Sequence, residues 1–323
     1  LLVGTFGYCF ANICAVTSDI EDGVAADALK NSGMWRLSHE PSSREMFQAR
    51  MRIVRAKWQQ RADELHEHLK SWPSVVGFHT NRLFVILANS WLWAGEGGRV
   101  AYGITAINAG VFLAWCIPRL RPFMSRHFTH NVLSGKTYTM LTSVFSHASL
   151  MHLGFNSLAL ISFCESIPGE LPGVVSNRYP RDCIASAAWW ILQDMQNRAP
   201  SGLQEATPKW HFLAFYIAAG LASSYVSHVA QASRLRFVLR NIAKPERAAA
   251  ALKAAASIKP SLGASGAIYA TVALTAFYYP STAVNIMFIP IAVPIGAAVS
   301  GMVALDILGI IRGWQMFDHW AHL

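Results

Sequence analysis

Lys259-Pro-Ser-Leu-Gly-Ala-Ser-Gly-Ala-Ile-Tyr269 sets one serine, Ser265, between Gly263 and Gly266 at the head of an apolar run. A serine hydroxyl is a poor nucleophile until a base within hydrogen-bond reach takes its proton. Two other stretches offer what it lacks. Asp318-His-Trp-Ala-His-Leu323 supplies imidazoles, with His322 as the candidate base. His152-Leu-Gly-Phe-Asn156 supplies two side-chain donors able to hold an oxyanion. All three lie in or beside segments apolar enough for lipid, a pattern that points to serine-dependent peptide hydrolysis inside a membrane.

The composition agrees with that setting. Of 323 residues, 53% are hydrophobic and 14% charged, where a soluble domain has about a quarter charged. Several long windows are apolar all round, which a soluble helix of that length rarely tolerates. The formal charge of +9 comes from Lys and Arg set between apolar blocks, as topology determinants are. With no arginine-rich arm and no interleaved aromatic platform, no nucleic-acid partner is expected; the expected surroundings are a lipid bilayer. The five cysteines, Cys9, Cys14, Cys116, Cys164 and Cys183, form no CxxC pair and read as packing residues. His147 and His152 are five apart with no glutamate in an HExxH frame, which disfavours a metalloprotease. No metal and no cofactor are expected.

Along the chain the blocks predict an all-α polytopic membrane protein. Residues 1–17 read as a truncated N-terminal transmembrane helix. Residues 18–99 read as a polar linker with an amphipathic helix, whose start is marked by the capping box Ser42-Ser-Arg-Glu45 and whose end is marked by Trp72-Pro73. Within the linker, residues 83–94 are too short to span and are expected at the interface. Residues 100–323 form the core, with spans predicted at about 100–117, 146–166, 211–230, 262–280 and 284–305. A sixth starts near Phe317 and is cut short. Residues 169–209 and the basic stretch 234–259 are expected as loops. The chain opens on Leu1 without a methionine and stops one turn into a helix, so both ends read as interrupted.

A polar side chain inside a span is costly, hence a functional candidate. His152 and Asn156 are four apart and share one helix face, as two donors aimed at one developing charge must. Ser265 falls in the first turn of its helix, where backbone N–H groups have no intrahelical partner and the dipole favours negative charge. Gly263 and Gly266 let another helix or a substrate backbone come close. Tyr269, one turn on, shares the serine's face and is placed to stack on an imidazole. No Asp or Glu stands where it would complete a triad, so the expected unit is a Ser–His dyad. His319 lies about 60° round from His322 on a helix of 3.6 residues per turn, and spacing alone does not choose between them.

Taken together, Phe145-Ser-His-Ala-Ser-Leu-Met-His-Leu-Gly-Phe-Asn156, Gly263-Ala-Ser-Gly-Ala267 with Tyr269, and Ala321-His322 resemble the rhomboid intramembrane serine proteases, and in the same order along the chain. Ser261-Leu-Gly-Ala-Ser-Gly-Ala-Ile268 and Gly313-Trp-Gln-Met-Phe-Asp-His-Trp-Ala-His-Leu323 are similar to the presenilin-associated rhomboid-like subfamily of the mitochondrial inner membrane. The resemblance implies a six-helix core with one extra helix before it (1+6), the sixth core helix truncated here. It implies Ser265 as nucleophile, His322 as general base and acid, His152 and Asn156 on the oxyanion, and Tyr269 stacked on His322. It assigns His147 a structural place. The implied partners are single-span membrane proteins, cut within their transmembrane helices. The net basic loops at 118–138 and 231–261 share one side, the matrix side by the positive-inside rule, onto which Ser265 would open. The competing readings are an inactive relative that binds transmembrane clients and a multi-span transporter or receptor, neither of which calls for all three motifs in order.

Overall fold

The computed structural model describes residues 2–31, 41–94, 96–164, 209–241, 247–249, 258–285, 292–314 and 318–323. Of the expected loop at 169–209 only Lys209 lies within them, at the start of a helix; Cys183 and most of 242–257 lie outside. The chain divides into two compact units, one of Leu1–Ala11, Ala101–Phe163 and Leu213–Leu323, the other of Asn12–Val100 and Cys164–Phe212.

In the second unit the helices outrun the expected boundaries. Helix α1, Leu2–Asn31, continues past Val16 through an acidic stretch. Charge alone does not stop a helix when it finds partners, and Glu21 binds Arg50 at 3.0 Å and Lys209 at 2.7 Å. Helix α2, Ser43–Leu69, starts at the expected capping box, with Ser42 and Glu45 each bonded to the other's backbone N–H. Its Met46 and Ala49 are buried against Ala25, Ala26 and Leu29 of α1. Helix α3, Ser74–Trp93, is 20 residues long, so the short interfacial segment expected at 83–94 is the second half of a longer helix that Pro73 opens. Glu96 is buried and receives both Arg50, at 2.7 Å, and Arg99, at 2.8 Å. Arg99 also donates to the Trp91 and Leu92 carbonyls at the end of α3, which have no intrahelical donor.

The first unit carries the spans. Helix α4, Glu96–Cys116, enters it from residue 101, and its Trp115 indole N–H donates to Ser146 at 2.8 Å. After the short α5, Arg121–His127, comes α6, Thr139–Thr142, with a 3-10 turn to Phe145. Helix α7, Leu150–Cys164, is inclined 86° to that segment. The expected span from Ser146 is thus a bent pair: Ser146 is extended, and the Ser149 hydroxyl accepts from the His152 N–H to start the new helix. Helix α8, Lys209–Asn241, runs well beyond the apolar run that ends at 230; Arg234, Arg236 and Arg240, expected in a loop, are helical. An apolar run marks how much of a helix lipid can cover, not where its hydrogen bonds end.

Helix α9, Ser265–Tyr278, satisfies its buried hydroxyls internally, Thr271 to the Ala267 carbonyl and Thr275 to that of Thr271. The span expected from residue 284 begins later. Strands β1, Ala283–Asn285, and β2, Ala292–Pro294, pair antiparallel, and α10, Ile295–Arg312, starts just after Pro294, whose ring fits a helix start and not its interior. The first amides of α10 donate to the Thr282 and Pro280 carbonyls. Helix α11 is the single turn His319–His322. Helices α9, α10 and α11 pack on one another. Among the described residues three helices, α4, α8 and α10, are long and apolar enough to cross a membrane, or four if the bent pair at α6–α7 is one span. The fold is an all-α polytopic membrane architecture, with one short antiparallel strand pair among the described residues.

Candidate active site

The candidate residues all belong to the first unit. Ser265 is delivered by a segment pinned through its backbone. Ser261 and His130 exchange both N–H···O bonds at 2.9 Å, the Gly263 N–H donates to the Ser143 carbonyl at 2.9 Å, and the Ala264 N–H donates to His147 Nε2 at 3.4 Å. His147, fully buried, therefore holds the peptide just before the serine. Gly263 has φ +133, a conformation that L side chains rarely adopt, and a Cβ there would come within 2.9 Å of the His152 ring.

His322 arrives on α11, with its Nε2 3.0 Å from the Ser265 Oγ. Tyr269 stacks on the His322 ring at 4.7 Å between centroids and 7° between planes. Behind this pair stands a carboxylate, where spacing along the chain leads to none being expected. Asp306 of α10, 5% exposed, accepts from His322 Nδ1 at 3.3 Å, from His319 Nδ1 at 2.6 Å and from the Tyr269 hydroxyl at 2.8 Å. The expectation that no acid backs the pair is corrected. An acid in mid-span is itself a signal, and Asp306 is the lone charge between Ile295 and Ile311. Sequence spacing did not reveal that α10 packs beside α9 and α11.

The protonation pattern follows from donor counting. An ionised carboxylate only accepts, so each imidazole presents its Nδ1–H to Asp306. His322 Nε2 is then the free lone pair facing the serine hydroxyl, as a general base requires. The other histidine of the motif, His319, does not approach Ser265 as the base does; it binds Asp306 and lies against Gly309.

Helix α8 sets the spacing of α11. The Ser223 hydroxyl donates to the Ala321 carbonyl at 2.5 Å, and that of Ser227 donates to Asp318 at 2.6 Å. Asp318 caps α11 by accepting the Ala321 N–H. Gly266 makes room, since a Cβ there would overlap the Ser223 hydroxyl and press on the Ala321 carbonyl.

Of the two expected oxyanion donors, His152 lies beside Gly263, two residues before the serine, its ring edge-on to His147 at 4.9 Å. Asn156 is buried, and its Nδ2 donates to the His152 carbonyl one turn back, at 2.8 Å. Its amide is thus engaged within α7. Outside this cluster, His130 bonds Thr139 at 2.8 Å and His228 at 2.9 Å. Burial, with His228 beside it, pushes His130 down to about 4. Among the described residues no group of three or more His, Cys, Asp or Glu side chains has a metal-binding arrangement.

Comparison with known proteins bears on the same region. The family model of the rhomboid domain matches residues 134–171 and 198–323. Over 256 residues the chain is 28% identical to the zebrafish (Danio rerio) presenilin-associated rhomboid-like protein A, mitochondrial, covering 78% of this chain and 52% of that protein. Over 235 residues it is 32% identical to the mouse (Mus musculus) presenilin-associated rhomboid-like protein, mitochondrial, covering 72% and 47%. Over 229 residues it is 24% identical to the yeast (Saccharomyces cerevisiae) rhomboid protein 1, mitochondrial, covering 69% and 49%. The chain spans about half the length of these relatives. No solved structure matches it.

Proposed function

The chain belongs to the rhomboid family, and on that premise we propose that it is an intramembrane serine endopeptidase with Ser265 as nucleophile and His322 as base. The observation that carries this reading is the 3.0 Å contact between the Ser265 hydroxyl and His322 Nε2, two residues 57 apart in sequence. His322 Nε2 takes the hydroxyl proton as Oγ attacks the scissile carbonyl. The tetrahedral oxyanion collapses to an acyl-enzyme, and His322 returns the proton to the leaving amine. Water, deprotonated by the same Nε2, then attacks the ester, and Nε2 returns that proton to Ser265 Oγ as the C–O bond breaks and the new C-terminus leaves. Asp306 holds the Nδ1–H of His322 and stabilises the imidazolium in each half-reaction.

Oxyanion donors in this reading are His152, Asn156 and the Ser265 amide, which as the first of α9 has no intrahelical acceptor. Asn156 must turn its amide from the His152 carbonyl toward the substrate, so its hydrogen bond is formed at the transition state, where it accelerates the chemistry. A donor of this kind contributes about 100- to 1000-fold in rate.

The relatives are mitochondrial by name, and with its apolar helices this chain is a multi-pass mitochondrial membrane protein. The proposed compartment is the inner membrane. The proposed substrates are single-span membrane proteins whose transmembrane helix unwinds readily, because a helix must surrender backbone hydrogen bonds before Ser265 can reach a carbonyl. The test is a proteoliposome assay of the full-length protein with a single-span reporter whose helix carries Gly and Pro. The expected result is one new N-terminus within the span, absent with Ser265→Ala. Equal cutting by Ser265→Ala, or none by the wild-type protein, contradicts the reading.

A further inference from the structure

Asp306 serves two imidazoles through one oxygen. His319 Nδ1 sits 2.6 Å from Oδ1 and His322 Nδ1 sits 3.3 Å from the same atom, while Oδ2 takes the Tyr269 hydroxyl at 2.8 Å. The shorter bond belongs to the imidazole that does not touch the serine. Charge-assisted N–H···O bonds run about 2.7–2.9 Å, so His322 holds the weaker share of this carboxylate. Both His319 and Asp306 are buried, at 6% and 5% exposure, where a shared acceptor is not replaced by water. His319 is also fixed in place: its ring packs on Gly309, where a Cβ would overlap it, and Trp314 lies 6.4 Å from it.

We propose that His319 is a positioning residue that competes with His322 for Asp306 Oδ1 and so limits how strongly the carboxylate supports the catalytic imidazolium. This deepens the protease reading and rests on it. A neutral His319 occupies a lone pair of Oδ1; a protonated His319 also cancels the carboxylate's charge. In both states, removing it leaves more of Asp306 to His322 and favours the imidazolium there.

The remaining groups around the pair do not substitute for this competition. Facing His322 are Tyr269 and Ser265 from α9 and Asp306 from α10, with His152 of α7 within electrostatic reach. Among the described groups that face His319 are Asp306 and the Trp314 ring, while the neighbouring Asp318 carboxylate is turned to Ser227 of α8 and to the Ala321 N–H.

The experiment is the rate of Ser265 labelling by a fluorophosphonate as a function of pH, in the full-length protein in lipid. Labelling requires neutral His322, so the acidic limb of the profile reports its proton affinity. In His319→Ala the limb is expected to move to higher pH by about half a unit or more, a roughly threefold slower labelling at the foot of the limb. His319→Asn sets an amide N–H near the position of Nδ1 and is expected to keep the wild-type limb; His319→Gln, whose amide reaches the Nε2 position, is expected to move it as Ala does. In an Asp306→Asn background His319→Ala should no longer shift the profile.

A His319→Ala protein that melts earlier but keeps the limb in place overturns the inference and leaves the protease reading standing. Should that variant fail to fold, identical limbs for the Asn and Gln variants overturn it equally. Absence of Ser265 labelling in the wild-type protein removes the protease reading and this inference with it.

Discussion

The segment that brings Ser265 into place is held mainly by main-chain bonds, Ser261 to His130 in both directions and Gly263 to Ser143, with one longer side-chain contact from His147 to the Ala264 N–H. The turn that brings His322 into place is held by side chains: Ser223 on the Ala321 carbonyl, Ser227 on Asp318, and Asp306 on the imidazole itself. The two supports differ in what mutation does to them. A backbone bond tolerates almost any side chain, provided the conformation is allowed, as at Gly263 with its positive φ. A side-chain bond is lost with one substitution. The base should therefore be the mutable half of the site and the nucleophile the robust half.

The largest expected break in that contrast is Asp306→Asn. Losing the charge that orients and stabilises His322 should lower kcat by about 100-fold, less than for a tightly bonded triad carboxylate, because the bond here is 3.3 Å. Equal kcat in a pH-matched cleavage assay would show that the base needs no such support. Next comes Gly266→Ala, whose methyl overlaps Ser223 and presses the backbone carrying His322. Overpacking of this kind costs about 1–3 kcal/mol, so the thermal unfolding midpoint and the labelling rate should fall together. Pairing it with Ser223→Gly should recover part of both.

A smaller effect separates Ser227→Ala from Ser261→Ala. The first removes a bond that fixes the α11 cap and should slow labelling about tenfold, the lower end of what one hydrogen bond to a charged group is worth. The second leaves the backbone pairing with His130 intact and should be silent. Comparable slowing in both would abolish the distinction. The smallest effect is on stability. Folded, His130 takes its proton only near pH 4, against about 6.5 when unfolded. The unfolded state thus binds the extra proton first, so stability is complete above about pH 6.5 and declines as pH falls toward 4. Melting curves at pH 7.5 and 5 should show a gap that narrows in His130→Asn.

Much of the site was legible because its residue pattern is local. His152 and Asn156, the glycines around Ser265, Tyr269 one turn on, and the His-bearing final turn each announce themselves within a dozen residues. Their meeting, and the choice of His322 over His319, is tertiary; there the family resemblance supplied the expectation that spacing withheld. Asp306 stands on the helix between the serine and the histidine, and its spacing to either carries no sign that α10 packs beside α9 and α11. Asn156, expected to aim its amide at a developing charge, donates instead to the His152 carbonyl one turn back. Hydropathy finds the apolar cores of α4, α8 and α10 but misplaces helix ends. Glu21 and Arg234 sit on helices that continue past the apolar run, and part of the span expected from residue 284 is the paired strands β1 and β2.

The central claim is that Ser265 is made reactive by His322. Its most direct measurement is fluorophosphonate treatment of the full-length protein in lipid near neutral pH, followed by mass spectrometric mapping of the adduct. The expected result is a single adduct on Ser265 that disappears in His322→Ala, a variant shown to remain folded by its unfolding midpoint. An adduct on another serine, or undiminished labelling of Ser265 without His322, contradicts the account.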